Sequence, residues 1–524
     1  MKLKSFLIGF GAVLVICFCI LFFLQFYVEH RVQTFIEDKI APSVDVTYQE
    51  VDFNIFSRTV RCTGISATFP TADSTAYHTQ ITTEKVEISG IRYAPLFLKF
   101  ELNIDEVLVA TPIVTHHKHL LVKRAKKLKK KAEKKEPFPN IKINAFLLKN
   151  GQITLLDDKR DTTNFVCNNL NLQLSNCKVD SMSIEERIPF YYDNLSFQID
   201  SVFTKAGKYE YCQATDLVFV DHHFKAENIK LYTKYNEASY EKILDKRRPH
   251  FGLTAKDVQL ENVSYEKNKA GTLTFKSDAL LLNQPYTTIH TNKQIPQNDS
   301  IKILYSEQIR KIKVAFGIEK VRIENGFIEY VETLENGEHG GILQFKNLYA
   351  NILNLGNTHN QETTVEVDAL FMEETPLKVN WSFTSADLED KFVFKANLGE
   401  LNVKHLNPFM VPNVNVSLAG MINAMDFTIR GNKETSVCDM EITCNDIKAE
   451  SQDDKLLKKV AIGLLNIVIL NGKGADNCIA KDCQSEVVRD KRTSYWNYVY
   501  SNVISSLKRC LVKKELKLGG KDKG

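Results

Sequence analysis

The chain has 524 residues, 44% of them hydrophobic and 25% charged, a balance that can bury sizeable cores and excludes a disordered polymer. Its 68 basic and 64 acidic residues leave a net charge of only +4, so the chain as a whole does not select a polyanionic partner. Eleven cysteines, an odd number at scattered spacings, spell no disulfide framework. Cys478 with Cys483, or Cys438 with Cys444, could pair in an oxidising compartment, and unlinked thiols are at least an equal alternative.

Residues 1–4 form a short basic tail, and Ser5 to Leu24 then runs without a charge, about 30 Å as a helix and enough to cross the hydrocarbon core. Bulky residues follow the run where a leader peptidase would need small ones, so the expectation is an uncleaved anchor with the N-terminus in the cytoplasm. Val28, Val32, Phe35, Ile36 and Ile40 continue at helical spacing until Pro42, which predicts an amphipathic stalk over 25–42.

From 43 onward the period changes to two. Val60 and Cys62, then Ile65, Ala67 and Phe69, Val107 and Val109, Ile141 and Ile143, Val321 and Ile323, and Val414, Val416 and Leu418 alternate with polar neighbours, which predicts a first β region over 43–115. The apolar parity switches across Gly64, as a bulge or tight turn at a glycine would require. Residues 116–139 interrupt the strands with nine Lys or Arg between 123 and 135 and one acidic residue. This basic linker or helix either keeps an insertion soluble or meets anionic headgroups, with Lys126, Lys127 and Lys130 as candidate contacts.

Strands resume over 140–455. A loose unit recurs in which an apolar residue is followed five and seven positions later by two more: ITTEKVEI at 81, FVCNNLNL at 165, FKAENIKL at 224, FKSDALLL at 275 and FKNLYANI at 345. A larger echo joins KINAFLLKNGQITLL (142–156) to GIEKVRIENGFIEYV (317–331), each with Asn-Gly between alternating runs, and this predicts hairpins at both sites. In the C-terminal region, 456–524, VAIGLLNIVIL (460–470) is too short to span a bilayer. Trp496, Val499, Val503, Leu507 and Leu511 follow on one helical face, with lysines toward its end. That helix either caps the fold or lies on a membrane surface through Trp496 and Lys508.

No phosphate loop, zinc spacing or nucleophile elbow emerges. His116, His117 and His119 stand beside the lysine run, where like charge opposes a cation, and Asp221-His222-His223 lacks the acidic partners a phosphoesterase needs. The expectation is a protein that is not an enzyme, with no cofactor, no metal and no nucleic-acid partner.

The stretch VDFNIFSRTVRCTGISATFP (51–70), preceded by an anchor and a short amphipathic helix and followed by VEISGIRYAPLFLKFELNIDEVLVATPIV (86–114), resembles the AsmA-like (AsmA/TamB-type) family of bacterial envelope proteins within the bridge-like lipid transfer superfamily. The resemblance covers about the first 115 residues. It implies a mainly β fold: a transmembrane helix, then a long twisted antiparallel sheet forming a taco-like hydrophobic groove. It also implies a single-pass inner-membrane protein with its body in the periplasm, conducting phospholipid in outer-membrane homeostasis. The alternating positions Val60, Ile65, Val107, Val109, Val321 and Ile323 are then candidates for lining that groove, because an alternating strand has one apolar face that stays open unless another layer covers it. The alternative is a scaffold for outer-membrane or other envelope proteins.

Overall fold

The computed structural model describes residues 44–70, 77–92, 95, 101–118, 140–157, 162–180, 183, 190–267, 273–450, 478–480 and 483–511. The anchor, the stalk, Lys126, Lys127, Lys130 and the apolar run 460–470 lie outside them. Among the described residues no helix is long and apolar enough to cross a membrane. The chain divides into two compact units, residues 1–226 and 227–524, both mainly β and mostly antiparallel.

In the first unit Asp45–Thr47 and Glu50–Asn54 pair with Thr59–Pro70, which pairs with Tyr77–Ser89. Tyr77–Ser89 then holds Glu101–Ala110 and Ile113–His117, two pieces of one interrupted strand. Both pieces run parallel to Asn140–Leu156, so residues 118–139 are a crossover connection, not a hairpin. Thr163–Val179, Asn194–Lys205 and Glu210–Val220 follow, each antiparallel to the last.

The second unit repeats this plan. His250–Glu261 holds the two pieces Leu273–Asn283 and Tyr286–Asn292, which run parallel to Ala315–Thr333. Six antiparallel strands continue the sheet: His339–Gly356, Thr363–Phe371, Thr375–Phe383, Phe392–Leu398, Ser417–Gly431 and Thr435–Glu450. The short strands Cys478–Ala480 and Ser485–Val488 pair with the last of these, and the helix Tyr495–Leu511 packs over that end.

The two Asn-Gly pairs are not hairpins. Each lies inside one long strand, Asn140–Leu156 or Ala315–Thr333, as an irregularity in the ladder. Asn150 and Asn325 adopt φ of 56° and 54°, the left-handed region that asparagine tolerates at lower cost than most other residues. Opposite them the interrupted strands break at Thr111-Pro112 and Gln284-Pro285, with φ of 50° at Thr111 and 49° at Gln284. Both breaks are closed by the same pair of bonds. Thr111 N donates to Lys149 O at 2.8 Å and Gln152 N to Pro112 O at 2.8 Å; Gln284 N donates to Glu324 O at 2.8 Å and Phe327 N to Pro285 O at 2.7 Å. Proline is tolerated because the ladder is already interrupted there. The crossovers that follow, 118–139 and 293–314, have equal lengths. The two units therefore share an internal duplication that extends well beyond the Asn-Gly echo.

These left-handed residues fall into a line across the strands. In the first unit Gly64 (φ 58°), Glu84, Thr111, Asn150 and Asn169 (φ 53°) stand beside one another on successive strands. In the second unit Lys256, Gln284, Asn325 and Asn347 (φ 49°) do the same. A left-handed residue slips the in-and-out alternation by one, so the apolar parity changes where one stands on the crease; Glu84 and Lys256 lie on the same line without a positive φ. The five-residue step in FVCNNLNL and FKNLYANI spans that slip at Asn169 and Asn347.

One further sequence expectation changes. Val414 closes the helix Asn407–Val414, and the strand predicted there begins only at Ser417, because Asn415 (φ 50°) caps the helix in the left-handed conformation. Asp221 and His222, with φ of 48° and 65°, make the tight turn after Glu210–Val220, the geometry of a type I′ connection.

Candidate functional site

The register places apolar side chains in continuous rows that cross the strands. In the first unit one row reads Phe53, Val60, Ile88, Val107, Phe146, Leu174, and the next Val51, Cys62, Val86, Val109, Leu148, Leu172. In the second unit one row reads Leu280, Val321, Ile352, Val365, Trp381, Phe394, and the next Leu282, Ile323, Ala350, Val367, Val379, Ala396. Neighbouring strands are ~4.8 Å apart, so each row is an unbroken ribbon of hydrocarbon.

Five of the six residues singled out by alternation fall in these rows. Val60 and Val107 share one row, Val109 lies in the next, and Val321 and Ile323 occupy adjacent rows of the second unit. Ile65 lies beyond the crease, paired with Thr83. Val107 and Val321 are only 8% and 5% exposed, closed off between larger neighbours in register. Val60, Ile65, Val109 and Ile323 are half-buried, as are Phe146, Leu280, Ile352 and Val365. Leu280 and Ile352 fill slots of the recurring FKSDALLL and FKNLYANI units, and Val365 alternates with Val367 on a strand without a left-handed residue.

The opposite face is polar. Arg322, Asn351, Glu366, Asn380 and Lys395 are exposed on it in the second unit. In the first, Arg61 Nε donates to Glu87 at 2.9 Å and Lys85 Nζ to the same oxygen at 3.2 Å. Burial alone would raise the Glu87 carboxyl, but these two bonds and their charges outweigh it and hold it below its ordinary value. On the apolar face Cys62 is pushed upward by burial, so its thiol stays neutral. The rows thus carry no charge at neutral pH.

At one end the face is covered. Phe392, Phe394, Ala396, Ile429 and Cys438 are buried beneath Tyr495, Tyr498 and Val499 of the C-terminal helix and Leu304 of the second crossover. Val503 and Leu507 pack alongside, as their spacing predicts, but the centre of the buried face is Tyr495, Tyr498, Asn502 and Ser506. Trp496 is 52% exposed, at the rim of that contact, and Lys508 sits in the last turn. Polar pairs fix the seating: Ser436 Oγ donates to Asn502 Oδ1 at 2.9 Å, and the Ser485 and Ser506 hydroxyls meet at 2.6 Å, all fully enclosed.

Cys483 is bridged to Cys510, pinning the end of this helix to the sheet. Neither expected pairing forms: Cys438 is a buried free thiol, and Cys444, also disulfide-bonded, stands opposite Cys478 in register. The partner of Cys483 lies 27 residues away, brought back by the helix, where sequence spacing gives no signal.

Of the histidines flanking the lysine run, His116 Nδ1 shares a hydrogen bond with Thr79 at 2.8 Å, beside His78. Burial, then His78 and His117, lower its pKa. Among the described residues no group of three or more His, Cys, Asp or Glu is arranged to hold a metal ion. No family model matches the chain, and no curated protein matches it significantly.

Proposed function

We propose that the chain is an AsmA-like, non-catalytic protein of the bacterial envelope, anchored in the inner membrane through residues 5–24, whose periplasmic body carries phospholipid acyl chains along its apolar faces to sustain outer-membrane lipid homeostasis. One observation carries this reading: register-locked rows of Val, Ile, Leu and Phe, present in both units, are left half-exposed over most of their length. Such a face offers no hydrogen bonds, so it favours hydrocarbon over peptide or polar ligand, and each methylene it takes from water contributes about 0.8 kcal/mol. The disulfides at Cys444 and Cys483 suit an oxidising compartment.

The test is photocrosslinking in cells with labelled lipids, placing the crosslinker at Ile323 and Ile352 and, as controls, at Arg322 and Asn351 on the other face. Lipid adducts at the isoleucines alone support the proposal. Absence of adducts at all four positions in folded protein removes it. The scaffold reading then gains weight from the edge strands Cys478–Ala480 and Ser485–Val488, where Ile479 and Val488 are 75% and 78% exposed and could receive a strand from an envelope protein.

A further inference from the structure

The chain has two tryptophans, and both stand where the open part of the rows meets the covered part. Trp381 follows Val365 in register and precedes the buried Phe394. Its ring stacks on Tyr495 with centroids 5.0 Å apart, and Tyr305 meets its edge at 5.4 Å. Trp496 lies 6.3 Å from Trp381 and 5.3 Å from Tyr495, and its Nε1 donates to the Tyr305 hydroxyl at 3.2 Å. Three elements distant in sequence, the second crossover, a central strand and the C-terminal helix, thus build one aromatic wall across the rows.

The geometry points to this wall as the stop for a hydrocarbon chain lying in the second unit. The inference rests on the acyl-chain reading above and adds where the chain ends and which side chains set its reach. From Leu280 to Trp381 the row crosses four strand spacings, ~19 Å, while one leaflet's chains span ~15 Å, half of the hydrocarbon core. A single acyl chain therefore fits between them. Beyond Trp381 the same rows are already occupied by the helix, whose apolar side chains take the place a longer chain would need. The row itself identifies the occupant: Val321, Ile352 and Val365, between Leu280 and Trp381, are all hydrocarbon and offer no hydrogen bond, and the ~19 Å they cover suits one acyl chain. Trp496, half-exposed and tethered to Tyr305, is placed to meet the end of the chain.

The experiment uses the purified full-length protein loaded with phospholipid brominated near the end of its acyl chains, since bromine quenches indole emission on contact. The variants Trp381→Phe and Trp496→Phe leave one reporter each, and circular dichroism checks that both fold. Expected is loss of most of the Trp496 emission, and part of the Trp381 emission, with chain-end bromine and little change with unbrominated lipid. Lipid adducts at Ile323 and Ile352 without quenching of either tryptophan would overturn the stop while leaving the groove intact. Neither adducts nor quenching would overturn both. Quenching of Trp496 without adducts would mark the helix as a membrane contact and overturn the stop as well.

Discussion

Asn325 shows how much one backbone angle decides. Its φ of 54° is available to Asn or Gly at little penalty, while a β-branched residue there costs about 1–2 kcal/mol. Asn325→Val is therefore expected to lower the hydrogen-exchange protection of Ala315–Thr333 by about that amount, and Asn325→Gly to leave it nearly unchanged; equal effects of both would mean the angle is not what matters. His116 gives a pH signature. Its pKa is held below the ordinary value by burial and by His78 and His117, so the folded state binds a proton less readily than the unfolded chain. Its contribution is then complete above the unfolded pKa of about 6.5 and lost as pH falls below it toward the lowered folded value. The urea midpoint of the first unit should decline through that window, and His116→Gln should flatten the decline.

Among the elements, the C-terminal helix is held by a covalent bridge as well as by packing. The 27-residue separation between Cys483 and Cys510 predicts that Cys510→Ser weakens the helix by about 3 kcal/mol in its local opening, read as faster amide exchange over Tyr495–Leu511 with the sheet strands unaffected. Unchanged exchange would show that the buried Asn502 and Ser506 contacts suffice. The strands themselves were legible from alternation: most of the predicted apolar pairs do lie on strands, and the switch at Gly64 was visible. What alternation hid was length and direction. Asn-Gly has the same composition in a type I′ hairpin and in a bulge, and only the partner strand distinguishes them; here the partner brings Thr111-Pro112 or Gln284-Pro285 in parallel. The Cys510 pairing was equally silent, because it depends on where a helix packs.

On the scale of the whole chain, the duplication makes the apolar face a property of both units. Phe146 and Leu148 in the first unit stand before Asn150 as Val321 and Ile323 stand before Asn325. On the proposed acyl-chain reading, crosslinkers at Phe146 and Leu148 should capture lipid along with one at Ile323, with Lys149 on the opposite face silent; adducts confined to the second unit would mean that only one copy serves the proposed role. The candidate rows could be located in the sequence only in pieces, since the crease shifts their parity on the long strands, while Thr363–Phe371, Thr375–Phe383 and Phe392–Leu398 alternate throughout. The pairing order carries one more consequence, for how the protein is made. Apart from the crossovers, strands pair chiefly with their sequence neighbours, so long-range search is confined to a few steps. A chain delivered N-terminus first can add strands to the sheet as they emerge, leaving the apolar face uncovered while they are added. The bridge at Cys510 joins last, which makes the aromatic wall the final part of the molecule to be completed.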